Sequence, residues 1–238
     1  MTLTGYDAAA VRRDGFAIVE NVADSATVAV LLDELAAVDG PGAIRRRGSV
    51  HAVRNLLEAV PAVRDLARSA AARALVEPVL GAECFAVRGI LFDKTPDANW
   101  KVAWHQDLTI AVRERREVPG FGPWSEKAGI THVQPPAEVL RDMLTVRVHL
   151  DPCGTENGPV QVIGGSHLHG RLSPEEIDEW RDGNDAVPCT SPIGGALVMR
   201  PLLLHASSAS TVPDHRRVVH LEFAAGDLPG GLEWHGRC

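Results

Sequence analysis

The chain is poor in the features that mark several large protein classes. Its four cysteines, Cys84, Cys153, Cys189 and Cys238, are scattered over 238 residues without a C-x-x-C pair. That spacing excludes a paired-cysteine metal site and predicts reduced thiols. Basic residues are not in excess: 24 Lys and Arg stand against 31 Asp and Glu, interspersed, for a formal net charge of −7. A nucleic-acid surface would need a basic stripe, so small-molecule chemistry is the better expectation. The one dense basic run, Arg45-Arg46-Arg47, follows Gly40-Pro41-Gly42 and is expected to be a solvated loop. No apolar stretch approaches the length of a membrane span, and no basic segment followed by an apolar run opens the chain. A cytoplasmic enzyme with neither membrane nor nucleic-acid partners is expected. Internal repeats, low-complexity tracts and a linker are also missing, so one domain over 1–238 is predicted.

What is present divides the chain into a helical first part with one early strand and a strand-rich remainder. Ala26 to Val38 carries Val28, Leu31, Leu32, Leu35 and Ala36 at helical spacing, with Asp24 or Ser25 available as N-cap. A second helical region is predicted from Asn55 to Leu80, broken near Pro61. Strand-like sequence begins at Cys84-Phe85-Ala86-Val87 and continues through Ile90-Leu91-Phe92, and short apolar runs then alternate with turn residues, as a barrel or jelly roll requires. The polar stretch from Arg113 to Ala137, rich in Gly and Pro, is expected to be an irregular lid.

The most informative segment is Trp104-His105-Gln106-Asp107. Two residues apart on a strand, an imidazole and a carboxylate leave the same face. A further histidine from a distant strand would complete a set of two histidines and one carboxylate, the arrangement of non-haem Fe(II) oxygenases. His205, at the end of the apolar run Leu202-Leu203-Leu204, is the best candidate. Arg216 follows eleven residues later and opens another apolar segment, so a hairpin would return it beside His205. A guanidinium there could clamp a carboxylate with two parallel hydrogen bonds.

Taken in order, Asn99-Trp100, Trp104-His105-Gln106-Asp107, Glu156-Asn157-Gly158-Pro159, Gly164-Gly165-Ser166-His167 and His205 through Arg216 resemble the phytanoyl-CoA dioxygenase family. The resemblance extends over nearly the whole chain and implies a mainly β fold with flanking helices: a distorted double-stranded β-helix, or cupin-like jelly roll. It also implies Fe(II) held by His105, Asp107 and His205, with 2-oxoglutarate and O2 as cosubstrates and Arg216 binding a 2-oxoglutarate carboxylate. Ser207 would donate to the cosubstrate. In Leu144 to Leu150 the strict alternation puts Thr145, Arg147 and His149 on one face, and in the family the equivalent strand lines the cavity, so Thr145 and Arg147 are expected to face cosubstrate or substrate. Trp104 is expected to pack beneath His105, and Lys94 to lie at the surface.

Most of the eight remaining histidines are expected to be structural or exposed, with His167 fixing the Gly164-Gly165 turn, while Trp124, His132 and Gln134 would contact substrate if 113–137 is a lid. With these residues the activity implied is hydroxylation of an unactivated C–H bond of a small metabolite, with release of succinate and CO2. Desaturation, ring closure or epimerisation would use the same ligands. Halogenation would need a small residue in place of Asp107. A metal-dependent hydrolase or isomerase would not need the Arg216 clamp, and a non-catalytic jelly roll would normally have lost at least one of the three ligands.

Overall fold

The computed structural model describes residues 6–38, 43–46 and 49–238. Gly40-Pro41-Gly42 and Arg47 lie outside them. Helix α1 (Ala8–Arg13) leads into strand β1 (Phe16–Val19), and α2 (Ser25–Ala36) follows. Asp24 caps α2 by accepting a hydrogen bond from Thr27 N at 2.8 Å, which satisfies one of the free amides of the first turn. A hairpin, β2 (Ala43–Arg46) and β3 (Ser49–Val53), comes next. It corrects one sequence-based expectation, since Arg45 and Arg46 are expected in a solvated loop and in fact close a strand.

The region expected as one broken helix forms three: α3 (Leu56–Ala59), α4 (Pro61–Arg68) and α5 (Ala70–Leu80). Pro61 starts α4, as its preset φ favours at a first helical turn. Ser69 supplies the second break and caps α5 through Ala72 N. β4 (Phe85–Lys94) then runs as one ten-residue strand, followed by β5 (Val102–His105) and β6 (Ile110–Val112). The segment read as an irregular lid contains a second hairpin, β7 (Trp124–Lys127) and β8 (Ile130–Val133), and β8 pairs with β6 to make a three-stranded sheet. After α6 (Ala137–Arg141) come β9 (Met143–His149), β10 (Val160–Ile163), α7 (Pro174–Gly183), β11 (Val187–Cys189), β12 (Ala196–Met199), β13 (Leu204–Ser207) and β14 (Arg216–Ala224).

The strands form a mainly antiparallel jelly roll. One sheet runs β1-β12-β9-β14-β4-β3-β2 and the other β11-β10-β13-β5. Alternation on β9 and β14 decides what each face meets. Leu144, Val146, Val148, Val219, Leu221 and Phe223 join the main apolar core with Leu31, Leu35, Leu56, Val63 and Leu75 from the helices. Arg147, Arg216 and His220 point the other way, into the space between the sheets. Among the described residues no helix is long and apolar enough to cross a membrane, and all four cysteines are free.

Candidate metal centre

β5 and β13 are antiparallel neighbours with His105 directly opposite His205, so the register of one strand pair brings together two residues a hundred positions apart. Their ring centroids lie 4.2 Å from each other. His205 Nε2 is 3.7 Å from Asp107 Oδ2, and His105 Nε2 is 3.9 Å from Asp107 Oδ1. One ligand atom from each of the three lies within 4.8 Å of the others.

The protonation of both rings suits a cation. Each Nδ1 faces a carbonyl two residues earlier on its own strand, Ala103 O at 2.9 Å for His105 and Leu203 O at 2.8 Å for His205. A carbonyl only accepts, so Nδ1 carries the proton and each Nε2 is a lone pair turned toward the carboxylate. Such orienting bonds are what metal-ligating histidines use. Burial pushes the His205 pKa down to about 4, which keeps the ring neutral. Enclosure acts to raise the Asp107 pKa, but His205, His220, His105 and Arg88 around it hold the carboxyl well below its ordinary range. Two imidazole nitrogens and one anionic oxygen, with no other hydrogen-bond partner among the described residues, make a donor set that could hold Fe(II).

The chain fixes this segment more firmly than its loop sequence suggests. Gln106 is buried and donates from Nε2 to Gly170 O (2.8 Å) and Leu202 O (2.7 Å), while its Oε1 accepts from Leu172 N at 2.9 Å. Asp107 N donates to Pro201 O at 2.9 Å. On the partner strand, Ser166 Oγ donates to Ile163 O and accepts from Leu204 N at 2.8 Å, setting the residue before His205. His167, in the same turn, meets Arg12 O through Nε2 at 3.2 Å. Trp104 does not lie beneath His105. It packs on the opposite face of β5 with Ile163, Leu172 and Leu204, as period-two alternation requires of adjacent residues.

A cavity of about 170 Å³ extends from these three residues between the sheets, and its wall includes Phe92, Trp100, Arg147, Ser207, Arg216 and His220. Arg216 is 4% exposed and donates through Nη1 to Gly158 O. Gly158 holds φ 62°, and a Cβ there would lie 2.3 Å from Ser208 O, so glycine alone lets this loop approach. Arg217 faces away, with Nε and Nη2 donating to Asp151 at 2.8 and 2.7 Å.

Lys94 was expected at the surface and is instead 1% exposed. It pairs with Arg216 across β4 and β14, and its Nζ donates to Ser207 Oγ at 3.3 Å and to Ser208 O. Burial, with Arg216 beside it, pushes its pKa down to about 7. The sequence hides this placement because a lysine after an apolar run usually marks a strand end in solvent. Only the pairing with Arg216 turns it inward.

Arg147 and Thr145 share a face of β9, but Thr145 is outside the cavity wall. Thr145 is completely buried, and its hydroxyl has no partner among the described residues. Arg147 Nη1 donates to His220 Nδ1 at 2.8 Å, His220 Nε2 donates to Glu222 Oε1 at 3.1 Å, and Glu222 pairs with Arg88. Arg147 and His220 of this chain line the cavity, and sequence reading missed His220, Glu222 and Arg88.

The family model described as Phytanoyl-CoA dioxygenase (PhyH) matches residues 11–219. Solved structures similar to this chain include AviO1 from Streptomyces viridochromogenes Tue57, 23% identical over 96% of this chain and 98% of that chain, with a TM-score of 0.67. EctD from S. alaskensis, solved with 2-oxoglutarate and 5-hydroxyectoine, is 22% identical over 92% of this chain and 74% of that chain, with a TM-score of 0.69. The non-heme alpha ketoglutarate dependent epimerase SnoN from nogalamycin biosynthesis is 22% identical over 94% and 88%, with a TM-score of 0.65. At these identities the likeness is one of fold. No curated protein matches the sequence.

Proposed function

Because the chain belongs to the phytanoyl-CoA dioxygenase family of Fe(II)- and 2-oxoglutarate-dependent oxygenases, we propose that it hydroxylates an unactivated C–H bond of a small metabolite, forming succinate and CO2. The observation that carries this reading is the joining of two sites in one cavity. At one end the ligand atoms of His105, Asp107 and His205 converge within 4.8 Å. Elsewhere in its wall Arg216 and Ser207 meet the buried Lys94.

His105, Asp107 and His205 would hold the iron. When bound, Fe(II) supplies the redox chemistry that couples O2 and 2-oxoglutarate to oxidation of the substrate. Arg216 and Lys94 would take a carboxylate of 2-oxoglutarate. Two buried cations beside each other need an anion, and a charge-assisted hydrogen bond in a sheltered site gives both affinity and orientation. Ser207, tied to Lys94, would present its hydroxyl to the same group. Phe92 and Trp100 supply apolar walls that exclude water. Arg147 is held by His220 and borders the metal centre, so it orients what lies between the two ends.

The same ligands serve epimerisation and ring closure, and the EctD, SnoN and AviO1 likenesses do not choose among these outcomes. Hydroxylation is the reading that requires nothing beyond the residues present. Anaerobic addition of 2-oxoglutarate to the Fe(II) protein should give a weak visible charge-transfer band. With substrate and O2, succinate and a product heavier by one oxygen should form in equal amounts. No band would overturn the oxygenase reading, and succinate with a product of unchanged mass would replace hydroxylation by epimerisation.

A further inference from the structure

Beyond the Arg88 and Glu222 pair lies a second cleft. Arg54, Arg88, Ile90, Ala111, Ile130 and His132 are in its wall. It encloses about 30 Å³, room for two waters or for one small end group of a larger molecule. A chain of polar contacts links it to the metal centre: Arg88 in its wall pairs with Glu222, which accepts from His220 in the wall of the metal cavity.

The local backbone holds Arg54 in place. β3 ends at Val53, paired with Leu91 of β4, and Asn55 at φ 64° turns the chain into α3. α3 packs so closely on β4 that a Cβ at Gly89 would lie 3.2 Å from Leu56 Cβ. The charges around this position do not cancel. Arg88 is paired with Glu222, and Glu58 at the rim reaches His235 at 3.0 Å. Arg54 makes no hydrogen bond or ion pair with a described residue. Burial lowers its pKa and that of Lys127, with Arg88 adding repulsion in both cases.

His132 supplies an independent observation. It is 2% exposed, and its Nδ1 meets Ile130 O at 3.0 Å, so Nδ1 carries the proton. Burial holds its pKa down at about 4 and the ring neutral. Nε2 is therefore a buried acceptor, and it has no partner among the described residues. A buried polar atom left so costs stability unless a ligand or water completes it. The same tautomer, fixed by the same carbonyl two residues back, prepares Nε2 of His105 and His205 at the metal centre.

We propose that this cleft is the substrate-recognition subsite, where Arg54 binds a carboxylate of the substrate and His132 Nε2 accepts a hydrogen bond from an adjacent O–H or N–H. The substrate class is then a small carboxylic acid with a hydroxyl or amine next to the acid group. Its carboxylate enters the cleft while the rest of the molecule lies toward His105 and Asp107, the two more exposed ligands. This inference rests on the oxygenase reading, since it supplies the substrate for that centre.

Lactate carries both groups, propionate lacks the hydroxyl, lactamide lacks the carboxylate, and glycerol phosphate replaces carboxylate by phosphate. Metal-free protein labelled with nitrogen-15 histidine is titrated with each at fixed ionic strength, and the His132 resonance is identified by its loss in His132→Asn. Lactate should shift that resonance saturably, and propionate, lactamide and Arg54→Gln should each weaken the response by about tenfold, the size expected for the loss of one hydrogen bond. Arg54→Lys should retain part of it. An unchanged response in Arg54→Gln overturns the subsite, and preference for glycerol phosphate overturns the carboxylate assignment. The anaerobic 2-oxoglutarate band is recorded on the same preparations. A band in both proteins without lactate binding overturns the subsite alone. No band in the wild type overturns the oxygenase reading itself.

Discussion

The two faces of β9 and β14 are about equally buried and differ in kind. On one face Leu144, Val146, Val148, Val219, Leu221 and Phe223 pack against the helices, and burial of apolar surface makes that face complete without any ligand. The other carries Thr145, Arg147, His149, Arg216, His220 and Glu222. Its cations outnumber its carboxylates, its hydrogen bonds are partly unmade, and burial pushes the pKa of Arg147 down to about 10 and that of His149 to about 3. One face stabilises the fold. The other is stabilised by what it binds, and a variant on either should expose that difference.

The largest effect should come from the metal ligands. His205→Ala or Asp107→Ala removes one of the three proposed protein ligands and should lower turnover by orders of magnitude, while leaving the thermal transition of the metal-free protein close to its original position. Iron content and succinate formation are the measurements. Retained activity in either variant would remove that residue from the centre. Phe223→Ala is the counterpart on the apolar face and should cost about 3–5 kcal/mol of stability by denaturant unfolding, with the iron site unaltered in the surviving folded fraction.

Arg216→Ala should weaken 2-oxoglutarate binding by about 2–5 kcal/mol, the usual cost of truncating a buried charged partner. Iron binding should persist. Its neighbour provides the control: Arg217 points outward to Asp151, and Arg217→Ala should change stability by about 1 kcal/mol at most and leave 2-oxoglutarate affinity alone. An inverted result would place the clamp on the wrong arginine.

The sequence displayed the parts of this arrangement that depend on short range. His105 and Asp107 share a face because they are two apart, and Arg216 differs from Arg217 because adjacent strand residues alternate. The helix periods and the strand-rich second half were visible for the same reason. What depended on register between distant strands was hidden. Lys94 faces Arg216 only through the pairing of β4 with β14, and Gln106 is a clamp only because Gly170, Leu172 and Leu202 surround it. The Gly and Pro content of 113–137 masked β7 and β8, whose four-residue strands are too short to show a period. Trp104 was placed by proximity in sequence to His105, where alternation should have sent it to the other face.

Lys94 offers the smallest and most diagnostic effect. Burial, with Arg216 beside it, lowers its pKa to about 7 from an ordinary 10.5. Between those values the unfolded chain binds a proton that the folded protein lacks, so unfolding takes up protons and the metal-free protein should gain stability as pH rises from 7 toward 10. Below 7 both states carry the proton and the cost is fully present. Lys94→Met should flatten this part of the stability curve and should itself stabilise the metal-free protein near neutral pH. Binding of 2-oxoglutarate reverses the balance, because an anion beside Nζ favours the ammonium form. At pH 8 the iron-loaded protein under argon should therefore take up a fraction of one proton with each 2-oxoglutarate, seen as a binding heat that changes between phosphate and Tris buffers. The variant should bind 2-oxoglutarate more weakly and with no buffer dependence from this residue. If the buffer dependence were the same in wild type and variant, the proton would come from another group, and Lys94 would be a buried strut beside the cavity.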